Sequence, residues 1–181
     1  MKSTKARALD AAIDLLGTEG LRSLTHARVD ERAALPKGST SNYFRTRAAL
    51  LSGVVEWILQ QELPEVGAMT EPVNTDQFVD QLTALIDYTT GPNRILTTAR
   101  LTVFGEAAHN AEIRAAVSQG RVRLELGLTG VMAHLGAHDP LIAARAVMAC
   151  AEGIVLHRIA RHDDADARPI VDLVVRGALA T

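Results

Sequence analysis

The sequence predicts an all-helical protein, and three observations carry that prediction. Only 3% of the 181 residues are aromatic while 48% are hydrophobic, a balance typical of helices packed through aliphatic side chains. Apolar residues recur at helical spacing in one segment after another. The stretch most like a strand, residues 169–175, has no visible partner strand and could not satisfy its backbone donors and acceptors alone. We therefore predict about nine helices.

The first predicted helix opens at Ser3 or Thr4, either of which can cap it, and Gly17 and Gly20 close it. Its apolar residues follow the i, i+3, i+4, i+7 spacing of one helical face: Leu9, Ala12, Ile13 and Leu16. This helix is expected to pack behind the segment that follows it.

Residues 25–51 have the pattern helix, tight turn, helix, with the turn at residues 34–36 and the second short helix at about 37–44. Thr25 can cap the first of these helices, and its hydroxyl lies where a DNA phosphate could be met. In the second helix, polar residues stand in front of apolar anchors. Such an element can hold one face on a core and present the other to the major groove of DNA. The polar residues are Lys37, Ser39, Ser41 and Asn42, of which Asn42 could pair with adenine and Lys37 could reach guanine or a phosphate.

Residues 4–51 resemble the N-terminal domain of the tetracycline-repressor (TetR) family of bacterial transcriptional regulators. The motifs that carry the resemblance are Gly17 and Gly20, Leu24-Thr25, Lys37-Gly38, Tyr43-Phe44, Arg47 and Ala49-Leu50-Leu51. The resemblance implies that Tyr43 and Arg47 contact phosphates. Arg28 either reaches the edge of the groove or stays solvated. The predicted DNA-binding residues are Thr25, Arg28, Lys37, Gly38, Ser39, Thr40, Ser41, Asn42, Tyr43 and Arg47.

Three residues depart from the family pattern. Ala34 stands where a turn glycine is usual, and Thr40 and Ser41 stand where Leu and Tyr are common. If the turn needs a left-handed residue, Ala34 is strained, because a Cβ in that conformation costs roughly 1 to 2 kcal/mol. Thr40 and Ser41 indicate a base-contact pattern that differs from the usual one.

Charge separates the N-terminal part of the chain from the rest. The whole chain has a net charge of −2, which by itself predicts no affinity for nucleic acid. Residues 1–50 hold nine Lys and Arg against five Asp and Glu, whereas residues 51–181 hold ten against sixteen. The basic part is therefore the part with the helix-turn-helix pattern, as expected of a DNA-binding domain.

Six further helices are predicted after the helix-turn-helix segment. Most have a clear start or stop signal, such as a capping Asn or Asp or a Gly-Pro pair. The fourth spans about 47–66 and ends around Pro64, the fifth follows the break at residues 72–74 and stops at Gly91-Pro92, the sixth is capped by Asn93, the seventh runs from Asn110 toward Gly136, the eighth runs from Asp139-Pro140 to about Ala160, and the ninth opens at Asp166 with Pro169 in its first turn.

The resemblance divides the chain into a DNA-binding domain, residues 1–47, and an effector-binding and dimerisation domain, residues 48–181. It places ligand-binding residues on helices four to seven: Trp57, Tyr88, Arg100, Phe104 and Met132. Each of these could instead be ordinary core. Arg100 lies among apolar residues, so it must snorkel, pair with an acid such as Glu106, or meet a ligand anion.

Helices eight and nine hold more small aliphatic residues than one core face needs, which lets helices approach closely. The resemblance implies that they form a four-helix homodimer interface, and the alternative is a bundle within one chain. Charge at Val147 or Val174 is accordingly expected to give monomers.

The sequence contains little that indicates an enzyme or a metal site. The six histidines lack an HExxH pattern or Cys partners, and no nucleophile or phosphate-binding motif is present. No cofactor or metal is predicted. A single Cys150, the absence of an apolar leader and the absence of an 18-residue apolar stretch favour a cytoplasmic location over secretion or membrane spanning.

The predicted function is a ligand-responsive DNA-binding transcriptional regulator, a homodimeric repressor that a small, mainly apolar molecule releases from an inverted-repeat operator. Two alternatives remain open at this point. One is a DNA-binding regulator of the same fold controlled by a protein partner or by no ligand. The other is a helical enzyme that uses the C-terminal histidines.

Overall fold

The computed structural model describes residues 2–67 and 72–180, and throughout these ranges the regular structure is helical. Nine α-helices and one short 3-10 helix, Leu21–Ser23, occur there, which confirms the all-α prediction. The helices are α1 (Thr4–Glu19), α2 (His26–Arg32), α3 (Ser39–Tyr43), α4 (Arg47–Gly67), α5 (Thr75–Thr90), α6 (Arg94–Ala107), α7 (Ala111–His134), α8 (Pro140–Ala160) and α9 (Arg168–Ala180).

The helices group into two compact units. The first unit comprises Met1–Pro64 and Arg94–Gln119, and the second comprises Glu65–Asn93 and Gly120–Thr181. The first unit therefore includes most of α4, all of α6 and the start of α7 in addition to the helix-turn-helix segment. The division into functional domains at residue 47 remains a prediction about roles rather than about packing.

Helix α1 forms the centre of the first unit. The Ser3 hydroxyl caps it by accepting a hydrogen bond from the Ala6 amide at 3.2 Å. Gly20 ends it with φ 78°, a left-handed value that glycine adopts without steric cost. The expectation that Gly17 also closes the helix is wrong, since Gly17 lies inside α1. The buried residues of α1 are Ala8, Leu9, Ala11, Ala12, Ile13, Leu15 and Leu16.

Gly17 has a packing role instead. A Cβ built at this position would clash with the backbone carbonyl of Ile95, at the start of α6. The absence of a side chain thus allows α1 and α6 to approach closely, and α6 packs along α1. The contact holds α6 in the same unit as the helix-turn-helix segment.

The second unit is a bundle in which α5 and α9 pack against each other and both pack on α8. The Asp139 cap of α8 agrees with the predicted start signal, since its side chain accepts from the Ile142 amide at 3.1 Å. Asn74, predicted only as part of the break before α5, caps that helix by accepting from the Gln77 amide at 2.9 Å. Residues 169–175 are helical as predicted. The buried core consists of Phe78, Val79, Leu82, Ile86, Met132, Ala143, Ala144, Val147, Val155, Ala167, Val171 and Val175.

Helix α8 is long and apolar enough to cross a membrane, judged by length and composition alone. The sequence expectation that no such segment exists is corrected here. A single helix of this kind is weak evidence for a membrane location, because an apolar helix that packs in a bundle passes the same test.

Candidate nucleic-acid interface

The segment from α2 to α3 forms a helix-turn-helix, and α2 begins as predicted. The Thr25 hydroxyl accepts a hydrogen bond from the Arg28 amide at 3.3 Å, so Thr25 is the N-cap of α2. The Arg28 guanidinium donates to a Glu19 carboxylate oxygen at 2.6 Å across the gap to α1. Thr25 and Arg28 are exposed. Each already has a hydrogen-bond partner within the protein, Thr25 in the Arg28 amide and Arg28 in Glu19.

Helix α2 ends in a left-handed turn centred on Ala34, which has φ 49°. The Ala34 amide donates to the Glu31 carbonyl at 3.1 Å, and the Leu35 amide donates to the Asp30 carbonyl at 2.8 Å. This pair of bonds defines the Schellman motif, in which the left-handed position is usually glycine. The sequence predicts that Ala34 is strained if the turn needs a left-handed residue. The turn does need one, and Ala34 is the residue at that position.

The start of α3 is held by a carboxylate that the sequence reading missed. Asp30, on α2, accepts hydrogen bonds from the Gly38 amide at 2.7 Å, the Thr40 amide at 2.8 Å and the Thr40 hydroxyl at 2.5 Å. Asp30 is only 4% exposed. The signal available in the sequence was that Asp30 is a charged residue at an otherwise apolar position of its helix. Its partners, Gly38 and Thr40, lie eight and ten residues away and are identified only by the folded turn.

The hydrogen bonds around Asp30 change its acidity. Burial opposes ionisation, but the bonds from the Thr40 side chain and backbone and from the Gly38 backbone outweigh it, so the pKa of Asp30 lies below its ordinary value. The carboxylate therefore remains charged in the folded protein at neutral pH.

Thr40 differs from the other predicted DNA-binding residues, because its side chain faces inward. It is fully buried, with its hydroxyl bound to Asp30. In this conformation the side chain of Thr40 cannot reach a base, so its contribution is to hold α3 in place. Thr40 stands at a position where the family pattern commonly has Leu, and here its hydroxyl donates a hydrogen bond to the Asp30 carboxylate.

The remaining polar residues of α3 and its approach lie at or near the surface. Lys37, Asn42 and Tyr43 are exposed, and Tyr43 retains 51% of its accessible surface. Ser39 and Ser41 are partly buried. The Ser39 hydroxyl donates to the Pro36 carbonyl at 2.6 Å, and the Ser41 hydroxyl donates to the Gly38 carbonyl at 2.9 Å. Each hydroxyl oxygen retains lone pairs that can accept from a base amino group.

Arg47 is exposed but takes part in the fold. Its Nε donates to the Leu24 carbonyl at 3.2 Å and its Nη2 to the Leu21 carbonyl at 2.9 Å, which ties the start of α4 to the 3-10 helix. A guanidinium has further N–H groups, so these two bonds leave donors for a phosphate. Replacing Arg47 would consequently affect both folding and any DNA contact.

The predicted ligand-binding residues are divided between the two units. Trp57, Arg100 and Phe104 belong to the first unit, and Tyr88 and Met132 belong to the second. The Trp57 indole donates to Asp10 at 2.8 Å, and the Arg100 guanidinium stacks on the Phe104 ring at 5.6 Å. Tyr88 is exposed and Met132 is fully buried in the core of the second unit.

Within the described residues, no group of three or more His, Cys, Asp or Glu side chains could hold a metal ion. Cys150 is a partly buried free thiol, and burial raises its pKa above the ordinary value. A thiol with a raised pKa is a poor nucleophile at neutral pH. These observations add no support to the histidine-based enzyme hypothesis.

Helices α8 and α9 each present an apolar stripe to solvent as well as one to the core. The exposed residues of the two stripes recur at helical spacing: Ile142, Ala146, Ala149, Leu156 and Ala160 on α8, and Ile170, Leu173, Gly177 and Ala180 on α9. Val147 is 1% exposed and belongs to the protomer core. The prediction that charge at Val147 tests dimerisation is therefore wrong, because such a variant would disrupt the protomer itself.

The fold is shared with solved transcriptional regulators. A transcriptional regulator from Rhodococcus sp. Rha1 matches with a TM-score of 0.84 at 15% identity, covering 98% of this chain and 97% of that one. A TetR transcription regulator from Haloarcula marismortui matches with a TM-score of 0.82 at 16% identity, covering 97% and 98%. The multidrug binding protein EbrR, solved with ethidium, matches with a TM-score of 0.77 at 22% identity, covering 95% and 98%.

A comparison with curated protein sequences found no match. The profile of the family described as "Tetracyclin repressor-like, C-terminal domain" matches residues 73–181, which is more than half of the chain. The C-terminal match complements the helix-turn-helix at the other end, which carries the family's N-terminal motifs. The chain therefore belongs to the tetracycline-repressor (TetR) family and has the fold of its transcriptional regulators.

Proposed function

We propose that the protein is a homodimeric DNA-binding transcriptional regulator, a repressor that leaves an inverted-repeat operator when a small molecule binds. The observation that carries the DNA-binding part is the exposed polar surface of α3 and of the residues just before it. Asn42 and Tyr43 on the helix and Lys37 ahead of it form this surface, within a segment of net positive charge. Asn42 reads a base edge, while Thr25, Lys37, Tyr43 and Arg47 bind phosphates. Operator binding of this kind places the protein in the cytoplasm.

The proposed dimer interface is the exposed apolar surface of α8 and α9. Leu173 is 73% exposed and Leu156 is 46% exposed, and small residues between such positions allow close helix approach. Association through one such surface on each copy gives a two-fold dimer, the commonest form of soluble oligomer. Two recognition helices related by that axis require half-sites about one helical turn apart, roughly 34 Å.

The proposed effector is a small, mainly apolar molecule bound by residues of the C-terminal domain. Residues 51–181 hold sixteen acidic against ten basic residues, a balance that disfavours an anionic ligand. The multidrug binding protein EbrR, solved in complex with ethidium, shares this fold. Candidate contacts are the predicted residues Trp57, Tyr88, Arg100, Phe104 and Met132.

DNA binding is tested with Lys37→Ala and Tyr43→Ala, alone and combined, on the duplex that the wild-type protein selects from a random-sequence pool. Lys37→Ala removes a cation and should weaken binding to all duplexes while reducing the slope of log affinity against log salt by about 0.9. Tyr43→Ala removes a neutral hydrogen-bond donor and should weaken binding to all duplexes without changing that slope. Asn42→Ala should instead relax the preference at one base position. Wild-type affinity and slope in the combined variant would exclude α3 as the DNA-reading element.

Ligand control is tested by reciprocity. A compound found by thermal shift should bind the operator complex more weakly by the same factor by which it weakens operator binding, because the coupling free energy is one quantity. Equal affinity with and without operator would favour the alternative of a regulator controlled by another protein or by no ligand. Turnover of such a compound would favour the enzyme alternative.

A further inference from the structure

Helix α3 depends on groups outside itself to fix where it starts. It has only five residues, and a helix of that length is not stable in isolation. Its N-cap is Gly38, which has no side chain to accept hydrogen bonds from the first turn. The amides of that first turn must therefore find acceptors elsewhere in the protein.

Asp30 supplies acceptors on both sides of the turn. Its backbone carbonyl accepts from the Leu35 amide at 2.8 Å, which closes α2. Its carboxylate accepts from the Gly38 amide at 2.7 Å and the Thr40 amide at 2.8 Å, which opens α3. Asp30 thus determines both where α2 ends and where α3 begins.

Burial makes these bonds decisive for the placement of α3. Asp30 is 4% exposed and Thr40 is fully buried, so water cannot replace a bond that is lost between them. The apolar contacts behind α3, such as those of Val29 and Phe44, belong to the same core and have no strong directional preference. Hydrogen bonds weaken steeply with distance and angle, so they select one position of the short helix among those that apolar packing allows.

We propose that Asp30 is a positioning residue for base recognition, which places α3 so that Asn42 and its neighbours discriminate between bases, without touching DNA itself. The inference rests on the proposed DNA-binding function. General attraction to DNA depends on charge and tolerates a small displacement of α3. Recognition of a base edge requires placement to within about 0.5 Å, so loss of Asp30 should remove sequence preference before it removes affinity.

The test compares Asp30→Asn with Asp14→Asn, measuring affinity for the wild-type-selected duplex and for a scrambled duplex of the same composition. Both variants remove one negative charge, but Asp14 pairs with Arg32 on the outside of α1 and α2 and does not reach the turn. In Asp30→Asn the ratio of the two affinities should fall by about tenfold or more, the scale of one lost charged hydrogen bond. In Asp14→Asn the ratio should stay at the wild-type value.

A second pair of variants guards against misfolding at position 30. Thr40→Val removes only the hydroxyl bound to Asp30 and should lower the ratio, while Thr40→Ser keeps a hydroxyl and should preserve it. Amide hydrogen exchange at residues 37–44, measured without DNA, should be faster in Asp30→Asn than in Asp14→Asn.

The outcomes separate the two proposals. An unchanged affinity ratio in both Asp30→Asn and Thr40→Val, with a sequence-selective wild-type protein, overturns the positioning role alone. Unchanged exchange at residues 37–44 also overturns it. A wild-type protein that selects no sequence from the pool overturns the DNA-reading function and the positioning role together.

Discussion

At the scale of single residues, the turn of the helix-turn-helix combines one strained residue with several compensating bonds. Ala34 has φ 49°, where glycine is the usual residue. The Arg7 guanidinium donates to the carbonyls of Ala33 at 2.6 Å and Ala34 at 3.1 Å, so a charged group from α1 binds the end of α2. The turn tolerates alanine because the groups around it determine its conformation.

Replacing Ala34 by glycine should stabilise the protein by about 0.5 to 1 kcal/mol. Relief of the left-handed strain is worth roughly 1 to 2 kcal/mol, and the greater freedom of glycine in the unfolded chain offsets about 0.4 to 1 kcal/mol of it. Urea unfolding measures the change. Ala33→Gly is the matched control, because Ala33 is right-handed at φ −82° and should lose stability. A less stable Ala34→Gly protein would show that the turn is not strained.

Asp30 should make the stability of the protein sensitive to acid. Its pKa lies below the ordinary value of 3.8 because the bonds from Thr40 and Gly38 outweigh the effect of burial. Its stabilising contribution is therefore complete above about pH 5 and is lost as the pH falls below 3.8 toward the folded pKa. The free energy of unfolding, measured between pH 6 and about pH 3, should fall less steeply in Asp30→Asn than in the wild type. Parallel curves would contradict the assignment.

At the scale of helices, glycine has opposite consequences at two positions of the α1 and α6 pair. Gly17 lies where a Cβ would clash with the Ile95 carbonyl, whereas a Cβ at Gly105 in α6 would meet no atom within 4 Å. The first glycine is required by packing. The second only lowers the helical stability of α6.

Gly17→Ala should therefore destabilise the protein by about 1 to 3 kcal/mol, because the backbone of Ile95 cannot move without shifting α6. Gly105→Ala should stabilise it by about 0.5 to 1 kcal/mol, the ordinary gain for glycine to alanine inside a helix. Thermal unfolding of the two variants measures both effects. Equal shifts of the same sign would mean that the contact between α1 and α6 is not the constraint.

At the scale of the whole molecule, α8 is apolar around most of its circumference. One side of the helix buries Ala143, Ala144 and Val147 within the protomer, while the opposite side exposes residues such as Ala149 and Leu156. Two apolar faces on one helix are expected when the second face binds another copy of the chain.

Leu173→Glu, at the exposed face of α9, should weaken dimerisation by roughly 100-fold or more, since a buried unpaired carboxylate costs several kcal/mol. Sedimentation at micromolar concentration measures the effect, and operator affinity should fall with it. Val73→Glu is the control, because Val73 is 77% exposed and lies outside α8 and α9. A wild-type protein that sediments as a monomer would contradict the proposed interface.

The sequence by itself determined the fold class, the helix order and most helix starts. Those features depend on local chemistry: the caps at Ser3, Thr25 and Asp139 act on amides three residues away, and apolar periodicity defines which face is buried. The family motifs in residues 17–51 identified the helix-turn-helix for the same reason, since each motif is a short-range signal.

Only the tertiary structure decided which residues of those elements are available for function. Thr40 and Asn42 are both polar residues on α3, yet Thr40 is buried against Asp30 and Asn42 is exposed. Val147 and Ala149 lie two positions apart on α8, yet only Val147 belongs to the core. These outcomes depend on contacts between residues distant in sequence, including the bonds from Asp30 to Gly38 and Thr40, and a one-dimensional pattern does not contain the partner that buries a given side chain.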